Sequence, residues 1–149
     1  MRDASQAAHP SFTGLETLTD AALVAGPAAG LVAAFRLALD AAWLVVAVDM
    51  PLLEAAALET LVANRDPRAI ATGYRHPDGT PEPLCTIWEP AAADLLANER
   101  SSSLRRLLEG SNARLLEPAR PHWLKSVNTD EDDAAVRAVL DQRAGRRAG

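Results

Sequence analysis

The stretch Trp43-Leu44-Val45-Val46-Ala47-Val48 constrains this chain more than any other. It is unbroken and largely β-branched, and Asp49-Met50-Pro51 stops it. A half-exposed strand alternates apolar with polar positions, so a continuous run reads as a strand covered on both faces. The pattern predicts a central parallel strand over 45–48, with Asp49 in a cleft at its C-terminal end. The longest apolar run, 41–48, is too short to span a bilayer.

The flanks of that strand predict the covering layers. Gly26-Pro27 opens a helix, with proline at the first helical position where its missing N–H costs nothing. Leu31, Phe35 and Leu39 recur every fourth residue on one apolar face. A second helix is predicted over 53–63, with Ala57, Leu58, Leu61 and Val62 inward. Strands follow at 69–74, 84–88 and 113–116, and the turn His76-Pro77-Asp78-Gly79 separates the first two. Short helices are expected at 91–97 and 104–108, the latter capped from Ser101-Ser102-Ser103. A last helix starts at Thr129, acidic in its first turn and with Arg137 and Arg143 toward its end, as the helix dipole favours. Residues 143–149 read as a disordered tail. Helices alternating with buried strands argue for one α/β domain over 1–149, its parallel or mixed sheet covered on both faces.

Composition narrows the function classes. The 149 residues carry a formal charge of −5 and a pI near 5.1, against the basic balance of proteins that grip nucleic acid backbone. The first residues lead into no hydrophobic segment of signal-peptide type. The single cysteine, Cys85, allows no intrachain disulfide and suits a reducing compartment. A cytoplasmic protein without nucleic-acid or membrane partners is the expectation.

Four places offer chemistry. Gly26 and Gly30 flank the first turn of a helix, where missing side chains let a ligand approach exposed N–H groups; on spacing alone a plain helix start, with a glycine kept for close packing, is the commoner reason for them. Asp49, directly after a buried strand, sits where open α/β sheets bind ligands and where one carboxylate plus substrate phosphates can hold Mg²⁺. It could instead cap the next helix. Asn128 and Thr129 precede a helix and could reach the same crevice, or Thr129 could cap together with Asp132. Pro81 and Pro83 hold the entry to a strand extended, and Cys85 behind them reads as a small buried hydrophobe rather than a nucleophile. His76 and His122 have no metal-spaced partner, and no Walker A loop, G-x-G-x-x-G or G-x-S-x-G occurs.

Taken in order, these segments resemble the molybdenum cofactor guanylyltransferases, the MobA-like nucleotidyltransferases. Gly26-Pro27-Ala28-Ala29-Gly30-Leu31 is similar to their G-P-L-A-G-[IL] motif, and Val46-Ala47-Val48-Asp49-Met50-Pro51 to their strand ending in D-[MT]-P. Pro83-Leu84-Cys85-Thr86-Ile87-Trp88 resembles P-L-[CA]-[AG]-[IL]-[YW]. Ser103-Leu104-Arg105-Arg106-Leu107-Leu108 resembles S-L-R-x-L-L, and Ser126-Val127-Asn128-Thr129-Asp130-Glu131-Asp132 resembles N-[VI]-N-T-P-E-D. The likeness runs from about Gly14 to Asp133. It implies a Rossmann-like, three-layer nucleotidyltransferase fold with a mixed, mostly parallel sheet. It further implies transfer of GMP from GTP to molybdenum-bearing molybdopterin, assisted by Mg²⁺. By the resemblance Asp49 binds the metal, Asp20 contacts the nucleotide, Gly26 and Gly30 let the chain pass close to it, and Asn128 and Thr129 face the molybdopterin side.

The departures carry expectations of their own. The family's opening strand and loop L-x-G-G-x-S-x-R-M-G-x-x-K do not occur in these residues, and Met1-Arg2-Asp3 is similar to the exit from its second strand. An N-terminally truncated domain is therefore expected, inactive in nucleotide transfer by itself and inclined to self-associate through the exposed edge. Ser126 stands for the leading Asn of N-x-N, Asp130 for Pro, and Ala28 for the common Leu. The alternatives are a non-catalytic remnant or binding module of the same fold, or a cytidylyl- or sugar-phosphate nucleotidyltransferase.

Overall fold

Four strands make one sheet: β1 (Trp43–Val46), β2 (Ala71–Arg75), β3 (Pro81–Trp88) and β4 (Arg114–Leu116). They come from a computed structural model that describes residues 18, 26–98, 103–127, 129, 134 and 136–140. The spatial order is β1-β3-β2-β4. β3 runs antiparallel to both β1 and β2, and β4 is parallel to β2. Three strands thus point the same way and β3 runs against them.

The helices are α1 (Pro27–Leu37), α2 (Ala55–Ala63), α3 (Ala92–Asn98) and α4 (Leu104–Glu109), followed by a 3₁₀ turn at Pro121–Leu124. Ser103 caps α4, its side chain accepting from the Arg106 N–H at 3.4 Å. Residues 136–140 are helical as expected for the last helix, whose start lies outside the described residues.

Two apolar clusters sandwich the sheet. Leu31 and Phe35 of α1, Ala92 and Leu96 of α3 and Leu104, Leu107 and Leu108 of α4 pack with Ala71 and Trp88. Ala57 and Leu61 of α2 pack with Tyr74, Cys85, Ile87, Trp123 and Leu124. Ile87 and Trp88 fall into different clusters because successive strand residues point to opposite faces. This is the three-layer α/β arrangement expected from the alternation of elements.

The position of β1 corrects one expectation. The strand ends at Val46, pairs only with β3 among the described residues, and does so antiparallel. Among the described residues it is an edge strand antiparallel to its neighbour, where a central parallel strand was expected. Trp43 and Val45 pack toward the α1 layer, but Leu44 and Val46 are 42% and 39% exposed. The described part of the α2 layer does not reach over them. Val48 has left the strand and is 98% exposed. Two smaller corrections share a cause, the local end of an element. Leu39 lies beyond the end of α1 at Leu37, where Ala38 turns extended, and is exposed. Val62, near the end of α2, is also exposed, while Ala57 and Leu61 are buried and Leu58 is half-buried.

β3 carries the irregularity that matters most for the site. Toward β1 its register runs without a break, from Trp43 opposite Trp88 to Val46 opposite Cys85. Toward β2 it jumps from Gly73 opposite Thr86 to Tyr74 opposite Glu82. Pro83, Leu84 and Cys85 are therefore extra residues on that side, a bulge that bends β3 and re-aims its side chains. Glu82 and Thr86 close it: the Leu84 N–H donates to Glu82 Oε1 at 2.9 Å and the Thr86 hydroxyl to the Glu82 carbonyl at 2.6 Å. Gly73 permits it, since a Cβ there would run into the Thr86 hydroxyl.

Candidate functional site

The C-terminal ends of β1, β2 and β4 lie along one edge of the sheet, where open α/β sheets place their ligands. Asp49 stands on this edge just beyond β1, half-buried. Its carbonyl accepts from the Val127 N–H at 2.9 Å, which draws Ser126-Val127 alongside it. Met50 is buried in the same cluster as Trp123 and Leu124, so packing reinforces that junction. Leu53 N–H closes a turn onto the Met50 carbonyl at 3.1 Å, and α2 begins only after Glu54. Asp49 is therefore not the cap of the next helix, which removes the structural explanation the sequence left open.

Gly26 has φ +71° and ψ −160°. Only glycine adopts that angle without penalty, and a Cβ would meet nothing within 4 Å, so the backbone and not crowding demands it. The Ala29 N–H bonds the Gly26 carbonyl at 3.0 Å. No side chain caps α1, and its first turn holds no acidic residue. A helix start of this kind is open to an anion. Gly30 is half-buried in the first turn.

A cleft of about 280 Å³ joins these parts, lined by Pro27, Pro83, Leu84, Ser103, Leu104 and Arg105. The glycine motif, the bulged strand and the start of α4 meet there. The Leu84 carbonyl, in turn, accepts from the Ala47 N–H at 2.8 Å, two residues before Asp49. Five segments that are distant in sequence thus form one connected strip: 26–27, 83–84, 103–105, 47–49 and 126–127.

Thr129 lies two residues past Val127 and is exposed. Asp20 and Asn128 lie outside the described residues. Among the described residues no group of three or more His, Cys, Asp or Glu could hold a metal ion, and the Asp49 carboxylate makes no side-chain bond. One carboxylate completed by substrate phosphates is an ordinary Mg²⁺ arrangement, so Asp49 fits such an ion. Cys85 is buried, its thiol pushed up to about 12 by burial first and by the nearby Glu82 second, which removes it as a nucleophile. Burial likewise raises the Tyr74 hydroxyl, which donates to the Ala57 carbonyl at 2.8 Å.

Sequence reasoning missed the His76–Glu82 pair. His76 Nε2 lies 3.0 Å from Glu82 Oε2, with the carboxylate largely buried. The signal was available in the turn His76-Pro77-Asp78-Gly79, which forces residues on its two sides to face each other. The turn forms as expected, with Gly79 at φ +87° and the His76 N–H on the Thr80 carbonyl at 2.8 Å.

Residues 2–119 match the MobA-like NTP transferase domain. The chain is 28% identical over 122 residues to the molybdenum cofactor biosynthesis bifunctional protein of Synechocystis sp.; the match covers 79% of this chain and 35% of that protein. The chain therefore spans about a third of that relative's length. The crystal structure of molybdopterin-guanine dinucleotide biosynthesis protein A from Archaeoglobus fulgidus superposes with a TM-score of 0.75 at 24% identity, over 95% of this chain and 76% of that one. At that identity the likeness speaks for the fold. Among the described residues no helix is long and apolar enough to cross a membrane.

Proposed function

This chain belongs to the MobA-like NTP transferase family, and from that premise we propose that it serves molybdenum cofactor biosynthesis in the cytoplasm, in transfer of GMP from GTP to molybdopterin. A phosphate oxygen of the acceptor attacks the α-phosphorus of GTP. The new O–P bond forms as the α–β phosphoanhydride breaks, and pyrophosphate leaves. Such chemistry needs positioning and charge neutralisation more than covalent help from the protein. Mg²⁺ held by Asp49 and the phosphates would supply the neutralisation when bound. The uncapped start of α1 at Gly26 offers N–H donors to an anion, and Ser126, Asn128 and Thr129 belong to the acceptor side.

One observation supports this reading: the Val127 N–H bond to the Asp49 backbone carbonyl, which sets Ser126-Val127 beside the residue proposed to hold Mg²⁺. The names of the two relatives, one for the molybdenum cofactor and one for molybdopterin-guanine dinucleotide, support the same substrates.

The test is transfer of α-labelled nucleotide to molybdopterin with Mg²⁺, comparing GTP with CTP and wild type with Asp49→Asn. The substitution keeps shape and removes one negative charge. In a version that also carries the family's opening strand and glycine-rich loop, loss on the order of a hundredfold or more in kcat is expected, with GTP preferred to CTP. Equal turnover by the variant would reject Asp49, and preference for CTP would move the chain to the cytidylyl class.

A further inference from the structure

The eight large apolar side chains that stand exposed among the described residues are not scattered: five of them, Leu37, Leu39, Leu44, Val46 and Val48, lie between residues 37 and 48. Single exposed apolar residues are ordinary, but a run of them is a patch. This one follows β1. Leu37 and Leu39, 59% and 68% exposed, lead into the strand, Leu44 and Val46 stand on its face away from α1, and Val48 lies just past its end. Together they leave roughly 400 Å² of apolar surface, the size at which the largest patch on a single chain often serves binding. The backbone of β1 is as open as its side chains. It pairs with β3 on one side, and no strand lies on its other side among the described residues. Natural sheets guard such an edge with a charge, a proline, a bulge or a very short strand. The opposite edge is guarded: β4 has three residues, begins at the exposed Arg114 and is followed by Glu117. The run from Ala41 to Val48 that contains β1 has no charged residue and no proline, and its register with β3 is unbroken.

We infer that β1 pairs with β1 of a second copy of this chain, antiparallel about a two-fold axis, joining the four strands of each copy into one continuous sheet. An identical edge complements this strand in every respect. It offers the same unpaired backbone groups, the same apolar side chains and no charge, and a two-fold contact closes on itself instead of growing into a filament. The register follows from the pleat. Directly opposed residues of an antiparallel pair share a face, so the axis passes through a residue and not between two. At Val45 it sets Leu44 against Val46 of the second copy and Val46 against Leu44 of the second copy, so that each exposed side chain covers another. Two copies joined along this run withdraw about 1,000 Å² from water, the lower bound for a specific association, and a micromolar dissociation constant is expected. Asp40 and Asp49 stand at the two ends of the run. Antiparallel pairing brings Asp40 of one copy toward Asp49 of the other, so added salt should tighten the dimer by screening them. The inference is independent of the function proposed above.

Sedimentation equilibrium of the full chain, from low to high micromolar concentration, should show a monomer–dimer equilibrium that shifts toward dimer with salt. Val46→Lys places an ammonium opposite Leu44 at both ends of the pairing and should weaken the dimer about tenfold or more. Its side chain is exposed in a single copy, so the urea midpoint at the lowest concentration should stay with wild type. A chain carrying Leu44→Cys, mixed with one carrying Val46→Cys, should form a disulfide between copies sooner than either does alone, because opposed residues meet the Cα separation that a disulfide needs. Cys85 is buried and does not compete. A chain that stays monomeric throughout overturns the inference, and slow hydrogen exchange at the outer amides of β1 in that monomer would show that the chain covers its own edge. Dimers untouched by Val46→Lys place the contact elsewhere and overturn it too. Growth beyond a dimer excludes the two-fold. Disulfides that form sooner within either single sample than in the mixture reject the register.

Discussion

Glu82→Ala tests whether one carboxylate holds the bulge that shapes the cleft. The substitution removes the acceptor of the Leu84 N–H at 2.9 Å and the partner of His76 at 3.0 Å. A hydrogen bond to a charged acceptor contributes about 1.5–3 kcal/mol. The His76 pair adds under about 1 kcal/mol, since the imidazole is partly exposed. Against these stands the relief of a buried carboxylate's desolvation, so the net cost is roughly 2 kcal/mol. For a chain of 149 residues that is a fall in Tm of about 4–8 °C. Glu82→Gln keeps a carbonyl for Leu84 and should cost less than about 1 kcal/mol.

Urea unfolding followed by tryptophan fluorescence gives the stability. Trp88 is a suitable reporter because its Nε1–H donates to the Pro83 carbonyl within the bulge, at 3.3 Å. Hydrogen exchange at the Leu84 amide gives the local effect, and it should quicken in Glu82→Ala by more than the global loss explains. A cost below about 0.5 kcal/mol with unchanged Leu84 exchange would show that the strand pairings hold the bulge without the carboxylate, and the account would be wrong.

Arg65→Met strands Glu89, which is 1% exposed and held by two bonds of 2.6 and 2.8 Å. The usual 3–5 kcal/mol for breaking a buried pair falls to about 2 because Arg65 is itself 42% exposed, and Arg65→Met with Glu89→Met should regain most of it in urea unfolding. Simple additivity of the two changes would reject the pairing as the cause. Gly73→Ala drives a methyl into the Thr86 hydroxyl and should cost roughly 1–3 kcal/mol, partly regained with Thr86→Ala. Cys85 should resist iodoacetamide at pH 8 in the folded protein and react once unfolded. Its thiol titrates near 12 folded against 9.0 unfolded, so its contribution to stability is whole below pH 9 and is lost as pH climbs toward 12. Rapid labelling of the native chain, or unfolding curves unchanged by Cys85→Ala across that window, would contradict this.

Much of the layering was legible because burial leaves a periodic trace. Leu31 and Phe35, Ala57 and Leu61, and Ile87 with Trp88 announce their elements by spacing alone. The place of β1 was not legible, because hydrophobicity reports that a strand wants cover and not which neighbour supplies it. The bulge was half legible. Pro81 and Pro83 foretold an extended entry, but the register jump depends on Gly73 meeting Thr86 and on the Glu82 carboxylate, which are long-range facts. Asp49 and the Gly26 turn could be singled out from local sequence. Their junction with Ser126-Val127 rests on one backbone bond that no local pattern encodes.

The reversed strand explains why the site is where it is. Because β3 runs against its neighbours, its first residues, 81–84, arrive at the same edge as the last residues of β1 and β2. That places the β2–β3 hairpin, the bulge and Asp49 on one rim. A parallel β3 would have delivered Trp88 and Glu89 there instead. Those residues go to the opposite edge, where Trp88 is buried with α3 and α4, Glu89 N–H bonds the Ile70 carbonyl at 3.0 Å and the carboxylate grips Arg65. One edge is thus closed by packing and by an ion pair whose carboxylate is buried, while the other keeps its polar groups at the surface. On this division, substitutions at Arg65 or Glu89 act on stability alone, whereas Glu82 and Gly73, which set the bulge, move stability and ligand binding together.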